Sequence, residues 1–257
     1  MSMNETRIRE LVGLLAAEVE LPAAVVVPPS LSPSPAPAPV AGEPQFEDYG
    51  KFFDHLRKTN VLGPKISETE FSGCTAIILA CQAARWGISW TSYSLATSYI
   101  ETAMTMQPIK ELGGTAYYMR MYDITGRRPE KARELGNLTP GDGAKYPGMG
   151  YVQMTGLANY RKATKKLQAL GFNVDLVANP ELAMRPDIAA AIMVMGMSEG
   201  WFTTRKLADD LPVRGPGSLR QFVLSRDIIN GKDRDDEIAS VAMVFQAGLS
   251  VGGYKEL

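Results

Sequence analysis

The chain has 257 residues, enough for one sizeable domain with a short additional segment. Its 27 lysines and arginines nearly balance 28 aspartates and glutamates, so no overall field favours binding to nucleic acid or anionic lipid. The sequence contains no apolar run of about 18 residues, and its start does not read as a secretory signal. We therefore expect a soluble chain synthesised in the cytoplasm, with no nucleic-acid partner and no membrane span.

The first 45 residues divide into two segments. Residues 1–20 predict an amphipathic helix, because its apolar side chains recur at helical spacing at Ile8, Leu11, Leu14, Leu15 and Val19. Residues 21–45 are rich in proline and alanine, which favours an extended linker. For residues 4–20, docking on a partner protein, docking on the domain itself and a weakly ordered tail all stay open.

The remaining residues, 46–257, predict a mainly α domain. Helical periods occur at residues 48–58, 67–84, 90–106, 156–170, 187–202, 217–228 and 234–249. Ser67 followed by Glu70 predicts a capping box at the start of the second of these helices. Between residues 107 and 155 the helical period is lost and glycine, proline and tyrosine become frequent, which indicates an irregular cleft region.

Composition restricts the chemistry that the domain can perform. His55 is the only histidine, so sites built from several histidines are excluded, and its amphipathic surroundings favour a surface or boundary position. Cys74 and Cys81 are seven residues apart in one predicted helix, about 10 Å along its axis, so they cannot form a disulfide with each other. We expect both to be small core residues. Carboxylates are the remaining candidates for titrating groups.

Helical periodicity in residues 90–106 groups polar side chains on one face, namely Ser94, Thr97, Ser98, Glu101 and Thr105. Pro108 and the Gly113–Gly114 pair favour a turn after Gln107. Such a turn would bring Glu111 to face Glu101 across a groove. A pair of carboxylates can hydrolyse a glycosidic bond, with one as acid and the other as base or nucleophile. From spacing alone, the alternative that both are ordinary surface acids stays open.

Four segments resemble, in order, the signatures of glycoside hydrolase family 19, in its phage endolysin and bacterial chitinase-like branch. They are LATSYIETAMTMQPIKELGGTAYYMRMYDITGRRP, LGNLTPGDGAKYPGMGYVQMTGLANY, NPELAMRPDIAAAIMVMGMSEGWFT and RDIINGKDRDDEIA. The resemblance spans about residues 46–249 and implies a lysozyme-like helical domain. It also implies carboxylate acid/base catalysis without a metal or an organic cofactor.

The resemblance assigns roles to individual residues. Glu101 matches the general acid and Glu111 the second carboxylate. Side chains that would bind the sugar or position water are Thr102, Tyr118, Gln153, Thr155, Asn159, Tyr160 and Asn230. For Tyr151 and Tyr160, a purely structural role in the core stays open.

Two positions depart from the family pattern. Ile100 replaces the histidine before the acid, and Met149 replaces the arginine of a Gly-Arg-Gly segment. The first hypothesis is a peptidoglycan-degrading glycosidase, an endolysin or virion-borne muramidase, that cleaves β-1,4 links between N-acetylated sugars of peptidoglycan or a chitin-like polymer at the bacterial cell wall. The alternative is a catalytically impaired, lysozyme-like structural or wall-binding component of a phage virion or secretion assembly.

Overall fold

The computed structural model describes residues 46–229 and 233–256. The domain is mainly α, as the sequence predicted. Its α-helices are α1 (Tyr49–Thr59), α2 (Glu68–Ala83), α3 (Ile88–Glu101), α4 (Gly114–Tyr122), α5 (Pro129–Glu134), α6 (Asp142–Lys145), α7 (Leu157–Ala169), α8 (Pro186–Glu199), α9 (Leu219–Leu224) and α10 (Asp235–Val251). Short 3-10 turns cover Pro180–Met184, Leu207–Asp209 and Ser225–Ile228. The amphipathic helix and linker predicted in residues 1–45 lie outside the described residues.

Helix α3 forms the centre of the core. Every residue between Tyr93 and Ile100 is buried, and the helix packs against α2 and, along most of its length, against α10. The segment contains no charged residue before Glu101, and its serines and threonines are small enough for close helix packing. The hydroxyls of Thr91, Ser92 and Ser94 bond to carbonyls of the preceding turn, which lowers the cost of burying them.

The first turn of α3 is capped from the far end of the chain. Gly87 precedes the helix and offers no side chain to its free backbone N–H groups. The Glu256 carboxylate accepts hydrogen bonds from the Ile88 amide at 2.7 Å and from the Gly215 amide at 2.8 Å. A negatively charged carboxylate at a helix N-terminus also interacts favourably with the helix dipole. Glu256 thus ties the C-terminal segment to the central helix.

Helix α2 lies against α3 and α8 and begins with the capping box that the sequence predicted. Ser67 and Glu70 form the capping box: the Ser67 side chain accepts from the Glu70 amide, and the Glu70 carboxylate accepts from the Ser67 amide. Cys74 and Cys81 are free and fully buried in this helix, which confirms the prediction of two core residues. Burial raises the pKa of the Cys81 thiol to about 12, so it is a neutral packing group.

The region between residues 107 and 155 is more ordered than the sequence indicated. It contains α4, α5 and α6, of 9, 6 and 4 residues, and each is too short to show a helical period. Two antiparallel strands, β1 (Ile109–Lys110) and β2 (Met149–Gly150), join its ends, with Ile109 opposite Gly150. The region is therefore a set of short helices closed by a two-stranded ribbon.

None of the helices described between residues 46 and 256 has the length and apolar composition that crossing a bilayer requires.

The cap supplied by Glu256 can be tested by its removal. We expect Glu256→Ala to lower the free energy of unfolding by about 2 kcal/mol, because two backbone N–H groups lose a charged acceptor. Urea unfolding followed by circular dichroism measures this change. Glu134→Gln is the matched control, since Glu134 forms only an exposed ion pair with Lys131 and should cost less than about 0.5 kcal/mol. Equal stability of the two variants would contradict the capping role.

Candidate functional site

The turn that follows α3 determines where both predicted carboxylates lie. The sequence predicted a helix to residue 106, but α3 ends at Glu101. Thr102 closes the helix: its hydroxyl donates to the Ser98 carbonyl at 2.7 Å and accepts from the Met106 amide at 3.1 Å. The chain therefore reverses five residues earlier than expected.

Three non-glycine residues of this turn have positive φ angles, which side-chain-bearing residues rarely adopt. They are Ala103 at 51°, Met104 at 68° and Met106 at 55°. Such strain persists only where surrounding contacts impose it. The contacts here are the Gln107 amide on the Thr69 carbonyl and the close approach of Gly73, where a Cβ atom would lie 1.8 Å from the Met106 carbonyl oxygen.

Glu101 lies at the boundary between core and surface. Its side chain is 16% exposed, and its Oε1 atom accepts a 2.8 Å hydrogen bond from Nη1 of Arg226, whose own side chain is 3% exposed. Arg226 also donates from Nε to the Asp233 carbonyl at 2.7 Å. The acid is thus ion-paired toward the interior of the protein.

The polar face predicted for the helix of Glu101 is mostly inside the core. The Ser94 and Ser98 hydroxyls face the sulfur atoms of Met197 and Met193 in α8, at 3.8 and 3.4 Å. Thr97 is also fully buried, while Thr105 is exposed beyond the helix end. The predicted face therefore serves helix packing rather than a groove, and Glu101 is its part-exposed end.

Glu111 directly follows β1 and is held by hydrogen-bond donors from two other elements. The Tyr122 hydroxyl on α4 donates to its Oε1 at 2.7 Å, and the Gly148 amide donates to its Oε2 at 3.3 Å. Burial and the neighbouring Glu111 carboxylate raise the pKa of Tyr122, so its hydroxyl stays protonated and donates a hydrogen bond. The Glu111 amide also donates to the Gly148 carbonyl at 2.8 Å.

Three side-chain oxygen atoms converge on Gly148. A Cβ atom at this position would lie 2.9 Å from Oε1 of Gln153, 3.3 Å from Oε2 of Glu111 and 3.3 Å from Oγ1 of Thr155. Any side chain at position 148 would therefore crowd these polar groups. The Gln153 amide nitrogen donates to the Ile109 and Gly150 carbonyls at 2.9 and 3.0 Å, so its oxygen is the atom directed toward Gly148.

The other residues that the resemblance assigned, where the structure describes them, have hydrogen-bond partners within the protein. Tyr118 is buried and its hydroxyl donates to the Glu111 carbonyl, while the half-buried Asn159 amide donates to the Thr155 carbonyl at 2.9 Å. Thr102 and Tyr160 are fully buried, and the Tyr160 hydroxyl donates to the Pro147 carbonyl at 2.9 Å. These two side chains support the backbone of the site and offer no surface to a ligand. Asn230 lies outside the described residues.

The two departures from the family pattern are core residues. Ile100 is 6% exposed and Met149 is 1% exposed, and both belong to the main hydrophobic cluster. Their side chains therefore pack in the interior and do not fill an open groove.

Asp123 fixes the short helix that holds Glu111. It is fully buried and accepts four hydrogen bonds: two from Thr125, and one each from the Gly141 and Gly143 amides. Burial alone would raise the pKa of this carboxyl, but the hydrogen bonds outweigh burial and lower it below its ordinary 3.8. The end of α4, and with it Tyr122, is thus anchored to the start of α6.

Two partners of the candidate acids were missed in the sequence. Arg226 pairs with Glu101 across 125 positions, and no local pattern links them. Tyr122 lies three and four residues beyond Met119 and Tyr118 on the short helix α4, so helical spacing from Tyr118 would have placed it on the same side. Only Tyr118 was selected from that segment.

Comparison with known proteins finds similar solved structures at low sequence identity. No protein-family model and no curated protein sequence matches this chain. Among solved structures, chitinase C from Streptomyces griseus HUT6037 is similar at 19% sequence identity and a TM-score of 0.48, over 85% of this chain and 81% of that one. A mutant of chitinase C is similar at 18% identity and a TM-score of 0.45, over 84% of this chain and 97% of that chain.

The Asp123 anchor predicts a specific loss of stability. We expect Asp123→Asn to lower the free energy of unfolding at pH 7 by about 2 to 4 kcal/mol, because an amide group then faces backbone N–H donors. The folded-state pKa is lowered, so the contribution of Asp123 is complete above about pH 5 and is lost as the pH falls through that pKa. The two proteins should therefore converge in acid.

Urea unfolding between pH 3 and pH 7 measures this difference. Asp142→Asn is the control in the same loop, because Asp142 accepts one exposed hydrogen bond from the Thr139 amide. A constant difference across this pH range would refute the link to the Asp123 carboxylate.

Proposed function

We propose that this chain is a glycosidase of the family 19 type, with Glu101 as general acid and Glu111 as the second carboxylate. The observation that carries the proposal is the convergence of the Glu111, Gln153 and Thr155 oxygens on a glycine. Glu111 is fixed there by donors from α4 and from the segment before β2, so one carboxylate oxygen faces a small polar space. A glycosidase needs such a site for the water that attacks the sugar.

The polar groups around Gly148 suit a bound water molecule. The Thr155 hydroxyl donates to the Gln153 carbonyl at 2.9 Å, which leaves its oxygen as an acceptor. Oε2 of Glu111, Oε1 of Gln153 and Oγ1 of Thr155 can therefore accept the two hydrogens of one water molecule. Its lone pair would then point away from the protein, and Glu111 would remove its proton as the water attacks.

Glu101 supplies the other half of the reaction. Oε1 is held by Arg226, whereas Oε2 makes no hydrogen bond with any residue in 46–229 or 233–256. In its protonated form, Oε2 would donate to the oxygen of the leaving sugar. The half-buried position keeps this carboxyl close to both protein and substrate.

The proposed substrate is a polymer of β-1,4-linked, N-acetylated sugars, with bacterial peptidoglycan as the first choice and chitin as the second. The support is the order of the four family-like segments, which includes both glutamates and the Gln153–Thr155 pair. On this proposal the protein acts on the bacterial cell wall, as an endolysin or as part of a virion.

The acid and base roles make different predictions for the two glutamates. We expect Glu101→Gln and Glu111→Gln each to reduce release of fragments from purified peptidoglycan or chitin oligosaccharides by at least about 100-fold. Azide should restore activity to Glu111→Gln, because it can replace the attacking water without a base. Glu101→Gln should retain more activity on an aryl glycoside, whose leaving group needs little protonation.

Glu181→Gln serves as the control for these assays, because Glu181 forms only an exposed ion pair with Lys110. It should keep full activity. Absence of fragment release by the unmodified chain on both polymers between pH 4 and pH 8 would refute the proposed function.

A second candidate function has one observation in its favour. Ile100 and Met149 occupy positions where the family pattern has a histidine and an arginine, and both are packed in the core, where they supply no charge to the site. This favours a lysozyme-like component that binds the cell wall, in a virion or secretion assembly, without cleaving it. Sedimentation with purified peptidoglycan, without release of fragments, would support this function over the first.

The buried positions also predict what restoring the family residues does. We expect Met149→Arg to lower the free energy of unfolding by about 3 kcal/mol, because the new charge is enclosed by apolar side chains. The double variant with Ile100→His should be less stable still and no more active. Thermal unfolding and fragment release measure both effects. A stable double variant with increased activity would instead show that these two positions had silenced the site.

A further inference from the structure

We propose that Arg226 is a positioning residue for Glu101, which it holds in a single orientation at the end of α3. This inference rests on the proposed function, because it gives Arg226 a part in the same reaction. Arg226 belongs to the Ser225–Ile228 turn, far from Glu101 in sequence, and the two side chains meet only in the folded domain.

The Arg226 side chain is more deeply buried than that of Glu101, and this difference indicates a role beyond packing. The guanidinium is 3% exposed and cannot leave the interior, while the carboxylate is 16% exposed. A buried guanidinium must be compensated by acceptors, and here they are Oε1 of Glu101 and the Asp233 carbonyl. Among the described residues, Glu101 is the only acid that pairs with Arg226. The pair therefore fixes one carboxylate oxygen inward and leaves the other toward the surface.

Packing above the ion pair sets the position of Arg226. Tyr93 stacks on Phe222 of α9, with ring centroids 6.2 Å apart and planes 4° from parallel. Tyr93, Thr97 and Glu101 follow one another at four-residue spacing along α3, and Arg226 follows Phe222 at the same spacing. The aromatic stack and the ion pair are thus two contacts between the same two surfaces.

The position of Glu101 at the end of helix α3 also favours a nearby cation. Glu101 is the last residue of the helix, where the free carbonyl groups carry partial negative charge. Arg226 offsets this repulsion by direct contact. Arg234 is the other cation that acts on Glu101, but its guanidinium is held by Glu237 at 2.6 Å. Tyr93 is a further titratable group near the pair, and burial raises its pKa, so it stays neutral. The acids Asp210, Asp233 and Glu237 also lie in these surroundings.

Orientation of an acid matters for the rate, since misplacement by about 1 Å can cost about 100-fold. Without Arg226, the Glu101 side chain could rotate freely at the end of the helix. The consequence would be a loss of kcat with little change in KM, because the substrate is still bound by other groups.

The experiment compares Arg226→Gln, Arg226→Lys and the control Arg205→Gln in the full chain. Arg205 pairs with Asp210 but not with either glutamate, so its variant should keep normal activity. We expect Arg226→Gln to lower kcat by about 10- to 100-fold with KM changed less than about threefold. Arg226→Lys keeps the charge and should retain part of the activity.

A measurement without substrate keeps the inference testable if a variant folds poorly or the chain is inactive. The ¹³C carboxyl signal of Glu101, assigned by its absence in Glu101→Gln and recorded at a fixed pH of 7, reports whether a charged hydrogen-bond donor contacts the carboxylate. Its chemical shift in Arg226→Lys should lie close to that of the unmodified chain, and in Arg226→Gln it should change.

Three outcomes would overturn the inference. Folded Arg226→Gln with normal kcat would show that Arg226 does not position the acid. An unchanged Glu101 carboxyl signal in that variant would show that the pair does not form in solution. A changed signal in a chain that cleaves no substrate would reduce the pair to a structural contact, and in that case the proposed function fails as well.

Discussion

The structure depends on the burial of a polar helix. Helix α3 is buried from Tyr93 to Ile100 although more than half of this stretch is serine, threonine or tyrosine. Its hydroxyls are accommodated in part by bonds to the preceding turn, as Ser94 makes to the Trp90 carbonyl, and in part by the methionine sulfur atoms of α8. The ends of such a helix cannot be satisfied in the same way, since their backbone groups lack partners within the helix. The Glu256 carboxylate, from a distant part of the chain, accepts from the Ile88 amide at the start, and the Thr102 hydroxyl donates to the Ser98 carbonyl at the finish. The Arg226 guanidinium, also distant in sequence, balances the charge of Glu101 at that end.

The same constraint explains why the candidate site begins where α3 stops. The chain leaves the core at Glu101 and reverses through a turn with three strained residues, which the Thr102 hydroxyl and the Gln107 amide hold in place. The reversal leads directly into β1 and to Glu111. Strain of this kind persists only where surrounding contacts impose it, and here the turn connects the two candidate carboxylates.

The two carboxylates differ in how they are held. Glu101 is fixed by one buried cation, while Glu111 is fixed by neutral donors, the Tyr122 hydroxyl and the Gly148 amide. Different surroundings are what an acid and a base need in order to carry out separate steps at one pH. Asp123 extends this arrangement outward, because it anchors the helix from which Tyr122 reaches Glu111.

The sequence by itself determined the mainly α class, the approximate position of the long helices and the capping box of Ser67 and Glu70, because these depend on local spacing and residue type. The roles of Glu101 and Glu111 were assigned by the family resemblance and stay predictions. The sequence missed the short helices between residues 107 and 155, which are too brief to show a period. Only the tertiary structure decided that α3 ends at Glu101, that its polar face packs against α8, and that Ile100 and Met149 lie in the core. It also brought Arg226 to Glu101 across 125 positions and Glu256 to Ile88 across 168. These contacts depend on how helices pack, and no local pattern in the sequence encodes them.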